Sequence, residues 1–298
     1  IAGSALMAAG DAVKPMIFLI MGAILNGIFD PLLIFGLGPF PEMGMEGAAI
    51  ASAIARICVT IGTLAVLVRH PVLRPPVRGL FVGIRQSWTD ILRIGLPISA
   101  NALVFPVALS LVTWLLASLG DSVVAAFAAG GRIDALSVLV FTSVGFGLAP
   151  IVGQNWGAGL RQRVIDAFKL SVKVCGIWGA VAWATLGLTA GLIAPAFVDN
   201  TTAAEVLWLY LVILPAGYAP IGITIVSQQV LAAIGQATQS GVIAASSSIA
   251  MAIAALVGSL FGVQGIFIGI VCADIVIAAG AALFVHSRLQ KLPLPGAS

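Results

Sequence analysis

Twenty-seven consecutive residues, from Pro15 to Pro41, contain a single formal charge, that of Asp30. Met, Ile, Leu and Phe dominate this stretch, and an apolar run of such length can cross a bilayer as a helix. Seven more apolar segments follow along the chain. The eight segments cover residues 12–36, 44–68, 91–119, 122–154, 161–195, 202–234, 236–261 and 263–288. They predict an all-α integral membrane protein with eight transmembrane helices, the sixth kinked at Pro215 and Pro220.

Composition excludes several classes of protein. Charged residues make up 8% of the chain, against about 25% in soluble domains. Three isolated cysteines, Cys58, Cys175 and Cys272, indicate neither a disulfide framework nor a metal site. The two histidines, His70 and His286, lie at the ends of apolar segments without carboxylate partners, so no catalytic residues and no enzyme are predicted. The net charge of +3 does not indicate a nucleic-acid partner, because the basic residues do not line a soluble face.

The distribution of Lys and Arg predicts the orientation in the membrane. If the eight helices alternate, 12 of the 14 basic residues fall on one side, and the opposite loops carry only acids. By the positive-inside rule the basic side is cytoplasmic, which places both ends of this chain in the cytoplasm. Arg56 and Arg132 are the remaining two, and both lie within spans.

The connector at 69–89 is the one clear shift in composition, because it is rich in Arg and Pro. We interpret it as a cytoplasmic linker between two domains. Residues 1–68 precede it, residues 90–292 form the second domain, and 293–298 are a tail.

An internal repeat supports this division. Gly10 and Gly235 each open a helix pair, 225 residues apart, and Gly44 and Gly262 begin the second helix of each pair, 218 residues apart. The first two helices therefore align with the last two. If both domains have six helices, four helices precede Ile1.

Asn26 and Asp30 are spaced i and i+4, so they share one face of the first helix. A carboxylate in hydrocarbon is costly and by default marks an ion or substrate path. The pair could share one cation or one proton. The alternative is an acid near the end of the helix that accepts hydrogen bonds from loop amides ahead of Pro31.

Other charges also lie inside the spans. Arg132 and Asp274 are at matched depth, about 15 Å at 1.5 Å per residue, and we predict that they form a structural ion pair, because an unpaired charge there is costly. Asp134 does not share the helix face of Arg132 and needs another partner. Arg56 occupies the position of the repeat equivalent to Asp274. It is a possible modulator of Asp30, or its side chain snorkels to the interface.

Three stretches resemble the multidrug and toxic compound extrusion (MATE) transporters of the MOP flippase superfamily. They are GDAVKPMIFLIMGAILNGIFDPLLIFG at 10–36, GMEGAAIAS at 44–52 and GRIDALSVLVFTSVGFGLAPIVGQNWGAG at 131–159. The resemblance implies a two-lobe, twelve-helix fold of which this chain is helices 5 to 12, truncated at the N-terminus. Residues 1–68 would then be the remnant of the N-lobe and 90–292 the C-lobe.

The resemblance also implies roles for residues. Asn26 and Asp30 match the N-x-x-x-D of the DinF-like branch, which lies in a proton or cation site, and Ser52 stands where that branch often has Thr. The NorM-like branch instead has a Glu on helix 7, where this chain has Phe105 and Pro106. The chain is therefore nearer the DinF-like branch.

The expected function is that of a monomeric secondary antiporter in the inner membrane. It would export organic cations or other amphiphilic drugs in exchange for H+ or Na+ by alternating access, with no cofactor beyond the coupling ion. A lipid-linked oligosaccharide flippase of the same superfamily is the alternative. It would need more Arg and Lys in its cleft than Arg56 and Arg132 provide.

Overall fold

The computed structural model describes residues 13–69, 84–198 and 200–292, together with Gly3 and Leu6. Its secondary structure in these residues is helical throughout, which confirms the all-α prediction. The helices are α1 (Val13–Ile34), α2 (Gly44–Arg69), α3 (Ile84–Ala117), α4 (Asp121–Gly157), α5 (Arg161–Phe197), α6 (Thr201–Ile213), α7 (Tyr218–Ala233), α8 (Ala237–Gly258) and α9 (Gly262–Lys291). Short 3-10 turns join α6 to α7 at Leu214–Gly217 and α8 to α9 at Ser259–Phe261.

Six helical stretches in the described residues are long and apolar enough to span a membrane. They are Val13–Ile34, Gly44–Arg69, Asp121–Gly157, Arg161–Phe197, Thr201–Ala233 and Ala237–Lys291. The last of these has 55 residues and contains both α8 and α9, and Leu103–Ala117 in α3 is a shorter apolar helix. Each of the eight predicted segments thus coincides with helical structure, although the count of eight spans is approximate.

Large apolar side chains on the outside of the helices fit a lipid environment. Leu188, Leu192, Val276 and Leu283 are between 69% and 87% exposed. Exposure on this scale is expected where hydrocarbon, rather than water, surrounds the helices.

Two boundaries differ from the predicted ones. The helix α3 begins at Ile84, inside the predicted linker at 69–89, because Arg and Gln favour helix and extend it beyond its apolar part. The sixth segment is broken by a 3-10 turn that contains Pro215, while the helix resumes at Tyr218 and passes through Pro220. Most of the predicted linker, the tail at 293–298, and Gly10 of the repeat lie outside the described residues.

The chain divides into two compact units, residues 1–88 and 89–298. In the first unit α1 and α2 form a helical hairpin. In the second unit α7 packs against α4, α5 and α9, while α8 packs mainly against α9. Two buried apolar clusters form the core of this unit, one around Tyr210 and Phe267 and the other around Phe141 and Tyr218.

Glycines give the predicted repeat a physical basis. Gly44 and Gly262 begin α2 and α9 with positive φ angles of 54° and 71°, a conformation that favours glycine. Three residues later, a Cβ at Gly47 would lie 2.5 Å from a carbonyl oxygen of α1, and one at Gly265 would lie even closer to a carbonyl oxygen of α8. Within each pair, the two helices therefore approach closely at the equivalent point, where a larger side chain does not fit.

Candidate functional site

A cavity of about 660 Å³ lies within the second unit. Its wall is mostly apolar, with a few polar groups. The polar and charged side chains that line it are Thr113, Asp134, Tyr210, Tyr218, Thr224, Gln228, Ser247, Ser248 and Asp274. Apolar walls with a small number of placed polar groups are typical of small-molecule sites.

Asp134 on α4 is held by both tyrosines of the chain. The hydroxyl of Tyr210 donates to Oδ2 at 2.5 Å, and that of Tyr218 donates to Oδ1. These two donors lie on either side of the 3-10 turn at Leu214–Gly217. The carboxylate is therefore fixed at the cavity wall with one phenol on each oxygen.

Close packing fixes the Tyr210 ring. Its centroid lies 5.7 Å from that of Phe127 and 5.5 Å from that of Phe267, both in edge-to-face geometry. A Cβ at Gly130 would lie 2.5 Å from the same ring, so glycine at this position makes room for the tyrosine. The sequence indicates that Asp134 needs a partner, but the two tyrosines were not predicted as that partner. The available signal was that the only two tyrosines of the chain lie eight residues apart in one apolar segment.

Asp274 on α9 lines the same cavity beside the 3-10 turn. Its Oδ2 would lie 3.1 Å from a Cβ at Gly217, so the absence of a side chain there leaves room for the carboxylate. Two carboxylates, those of Asp134 and Asp274, thus face one largely apolar space. A site of this kind suits a solute with an apolar body and a positive charge.

The structure does not bring Arg132 and Asp274 together as an ion pair. Arg132 is exposed on α4, whereas Asp274 is partly buried at the cavity. Arg132 is not among the residues that line this space. Matched depth along two helices, as expected from the sequence, does not fix the direction in which a side chain points.

A second, open groove of about 430 Å³ lies in the first unit between α1 and α2. Asn26, Ser52 and Arg56 are on its wall. The hydroxyl of Ser52 donates to Oδ1 of Asn26 at 3.4 Å. The structure therefore brings together two members of the predicted coupling site, which are 26 residues apart in sequence.

Asp30 does not line this groove, although it lies one helical turn from Asn26. Its Oδ1 is buried and has no hydrogen-bond partner. A buried, unpaired carboxylate oxygen is costly. The structure thus brings Asn26 and Ser52 into contact, while Asp30 is one turn further along α1 and outside the wall that they share.

Comparisons with known proteins identify the family. The family model MatE matches residues 97–257, more than half of the chain. The chain belongs to the MATE family. The MATE chain is 31% identical over 270 residues to a protein of Shewanella oneidensis named FAD transporter. The aligned region covers 89% of this chain and 59% of that protein. It is also 24% identical to the multidrug export protein MepA of Staphylococcus haemolyticus, over 98% of this chain and 64% of MepA.

Solved structures agree with this assignment. The crystal structure of a mutant of the Vibrio cholerae MATE transporter VcmN matches with a TM-score of 0.86 and 25% identity, over 99% of this chain and 66% of VcmN. An outward-facing multidrug resistance MATE transporter matches with a TM-score of 0.84 and 22% identity, over 98% of this chain and 66% of the matched chain. The MATE chain thus spans about three fifths to two thirds of the length of these relatives. It is a multi-pass membrane protein of this family.

Proposed function

We propose that the protein is a secondary active exporter that moves amphiphilic organic cations across the inner membrane in exchange for H+ or Na+. The observation that carries this proposal is the 660 Å³ cavity, in which Asp134 and Asp274 face apolar and aromatic walls. Membership of the MATE family supports it, as does the similarity to MepA, which is named a multidrug export protein.

The walls of the cavity account for broad selectivity. Phe105, Phe127 and Met251 are among its lining residues. Aromatic and thioether side chains bind apolar bodies of varied shape, while the carboxylates select for positive charge. Alternating access requires that the solute and the coupling ion favour opposite-facing states, because a ligand shifts such an equilibrium only by its differential affinity.

For coupling, we retain Asp30, with Asn26 and Ser52 as its neighbours. The unpartnered Oδ1 of Asp30 supports this choice, because a bound proton or cation would compensate the buried charge. The excess of Lys and Arg in one set of loops supports a cytoplasmic location for both ends of this chain. We propose a monomer as the working unit.

The test is dye transport by the purified protein in proteoliposomes, with an imposed pH or Na+ gradient. Wild type is expected to move ethidium against its gradient. Asp134→Asn is expected to lower ethidium affinity at least tenfold, since it removes the charge but keeps the shape. Asp30→Asn is expected to bind ethidium normally and to lose transport driven by the gradient. Transport by Asp30→Asn at the wild-type rate would contradict the coupling role, and unchanged binding by Asp134→Asn would contradict the cavity.

One comparison favours a second class of substrate. The Shewanella oneidensis relative at 31% identity is named FAD transporter. A flavin dinucleotide has an aromatic ring system, which suits an apolar cavity, and a pyrophosphate, which does not suit two carboxylates. Export of this class therefore requires a separate site for negative charge.

A further inference from the structure

Arg56 is a charge at the middle of a membrane-spanning helix. It is the thirteenth of the 26 residues of α2, so it lies about 18 to 20 Å from either end at 1.5 Å per residue. Its side chain is exposed and lines the 430 Å³ groove. An intramembrane arginine at this depth is costly and marks a functional site by default.

Among the described residues, the groove provides no negative charge for Arg56, because no carboxylate is on its wall. Asp30 lies outside the lining, and Glu46 is ten residues earlier on α2, about 15 Å along the axis. Within the part of the chain that the structure describes, the guanidinium makes no ion pair or side-chain hydrogen bond. Its five N–H donors therefore have no side-chain acceptor among these residues.

A second donor is next to it. Because the Ser52 hydroxyl donates to Oδ1 of Asn26, the side-chain amide nitrogen of Asn26 keeps both of its N–H groups for another acceptor. Ser52 and Arg56 are i and i+4, so they share one face of α2. The hydroxyl of Thr60 is not a further donor for a ligand, since it donates to the carbonyl oxygen of Arg56 at 2.7 Å.

The helices α1 and α2 pack closely against each other beside the groove. A Cβ at Gly22 would lie 2.5 Å from the side chain of Val59, so α1 and α2 are in contact there. Gly22 and Val59 are both on the wall of the groove, on the helices that also carry Asn26 and Arg56. The groove therefore has apolar lining residues and a polar lining of Asn26, Ser52, Arg56 and Thr60, which contains no carboxylate.

We propose that this groove between α1 and α2 binds the phosphate group of an amphiphilic solute, with Arg56 as the charged donor and the amide of Asn26 as the second donor. Guanidinium and phosphate match in a two-pronged geometry that gives short, charge-assisted hydrogen bonds. The depth of Arg56 favours a solute over a lipid, because the phosphate of a lipid headgroup lies at the interface. This site rests on the proposed transport of amphiphilic solutes and adds a class that bears phosphate.

Three flavins provide a matched set of probes, because riboflavin has no phosphate, FMN has one and FAD has a pyrophosphate. Binding is measured by flavin fluorescence with the full-length purified protein in a neutral detergent. Wild type is expected to bind FMN and FAD more tightly than riboflavin. Arg56→Gln is expected to lower FMN affinity by roughly 10- to 100-fold and to leave riboflavin affinity within about twofold. Arg56→Lys is expected to recover part of the loss.

Arg132→Gln is the matched control, since it makes the same substitution inside a span of the second unit, at a residue that does not line the groove, and it is expected to bind FMN as wild type does. An unchanged midpoint of thermal unfolding shows that Arg56→Gln is folded. Three results would overturn the proposal: no binding of FMN by wild type, equal FMN affinity in Arg56→Gln, or an equal loss for riboflavin.

A further arm separates lipid from solute. Nanodiscs of phosphatidylcholine and of phosphatidylglycerol are compared for the wild type and for Arg56→Gln. If Arg56→Gln loses only its preference for phosphatidylglycerol and keeps FMN affinity, Arg56 binds lipid and the proposal is wrong. If wild type discriminates FMN from riboflavin but transports no ethidium, the proposed cation export fails and the phosphate site stands.

Discussion

The hairpin α1–α2 and the hairpin α8–α9 are built alike but carry opposite charges at one equivalent position. Each pair has a positive-φ glycine at the start of its second helix and a closely packed glycine three residues later. The residue 218 positions after Arg56 is Asp274, so one hairpin presents a cation where the other presents a carboxylate. The shared glycines maintain the shape of the hairpin, and the side chains at equivalent positions set what each one binds.

The difference extends beyond the charge. Five positions on the wall of the first groove have equivalents on the wall of the second cavity. The pairs are Gly22 and Ser247, Ala23 and Ser248, Asn26 and Met251, Ser52 and Ile270, and Arg56 and Asp274. The polar groups are thus exchanged between the two: the first groove has Asn and Ser where the cavity is apolar, and an arginine where the cavity has a carboxylate. The following experiments test this contrast.

The glycines are expected to give the largest effect. Gly47→Ala and Gly265→Ala each place a Cβ within 2.5 Å of a backbone oxygen, which no side-chain rotation relieves, so each is expected to lower stability by about 1–3 kcal/mol. The measurement is the midpoint of thermal unfolding of the purified protein. Gly280→Ala is the control, because a Cβ there meets nothing within 4 Å. If Gly280→Ala lowers the midpoint as much as the other two, the close packing of the hairpins is not the cause.

Removal of the Asp274 carboxylate is expected to give the next largest effect. Asp274→Asn is expected to lower ethidium affinity roughly tenfold and to leave FMN affinity unchanged, because the lost interaction is with positive charge. Arg56→Gln is expected to do the reverse. Fluorescence titration of both variants with both ligands gives a two-by-two comparison. Equal losses for both ligands in either variant would contradict the assignment of opposite charges to separate sites.

A smaller effect is expected when the first groove is made more like the second. Ser52→Ile copies the residue at the equivalent position, Ile270, and removes the hydrogen bond to Oδ1 of Asn26. The amide of Asn26 then loses its fixed orientation, and FMN affinity is expected to fall about three- to tenfold, in line with one net hydrogen bond. Isothermal titration calorimetry provides the measurement.

Ala53→Ile is the control for this substitution. Ala53 is the next residue on the helix, and its side chain is exposed and outside the lining of the groove. The control introduces the same isoleucine without removing a hydrogen bond, so FMN affinity is expected to stay unchanged. An equal fall in both variants would show that the added bulk, and not the lost hydrogen bond, weakens binding.

The smallest effect is expected from a single phenol. Tyr218→Phe keeps the ring and removes one donor from Asp134. The carboxylate then has a free oxygen, so ethidium affinity is expected to rise about two- to fivefold, the size of a modest hydrogen bond. Stopped-flow release of ethidium is expected to slow by a similar factor. A fall in affinity would show that the phenol contacts the solute itself.

The apolar segments of the sequence were sufficient to predict the helices, because burial in a membrane selects apolar segments of defined length. The resemblance to the family placed Asn26 and Ser52 in one site, and a hydrogen bond joins them in the structure. For Arg132 and Asp274 the sequence indicated only depth along a helix, which does not fix the direction of a side chain. The role of Tyr210 and Tyr218 was missed, because a spacing of eight residues in one apolar segment does not by itself indicate a shared partner.

The two phenols have a consequence for turnover. A bound cation stabilises a carboxylate less when each oxygen already accepts a hydrogen bond than when neither does. The hydrogen bonds weaken as the interaction with the cation forms. Such a site binds its solute weakly. A transporter that must release the solute on the opposite side of the membrane depends on this weak binding.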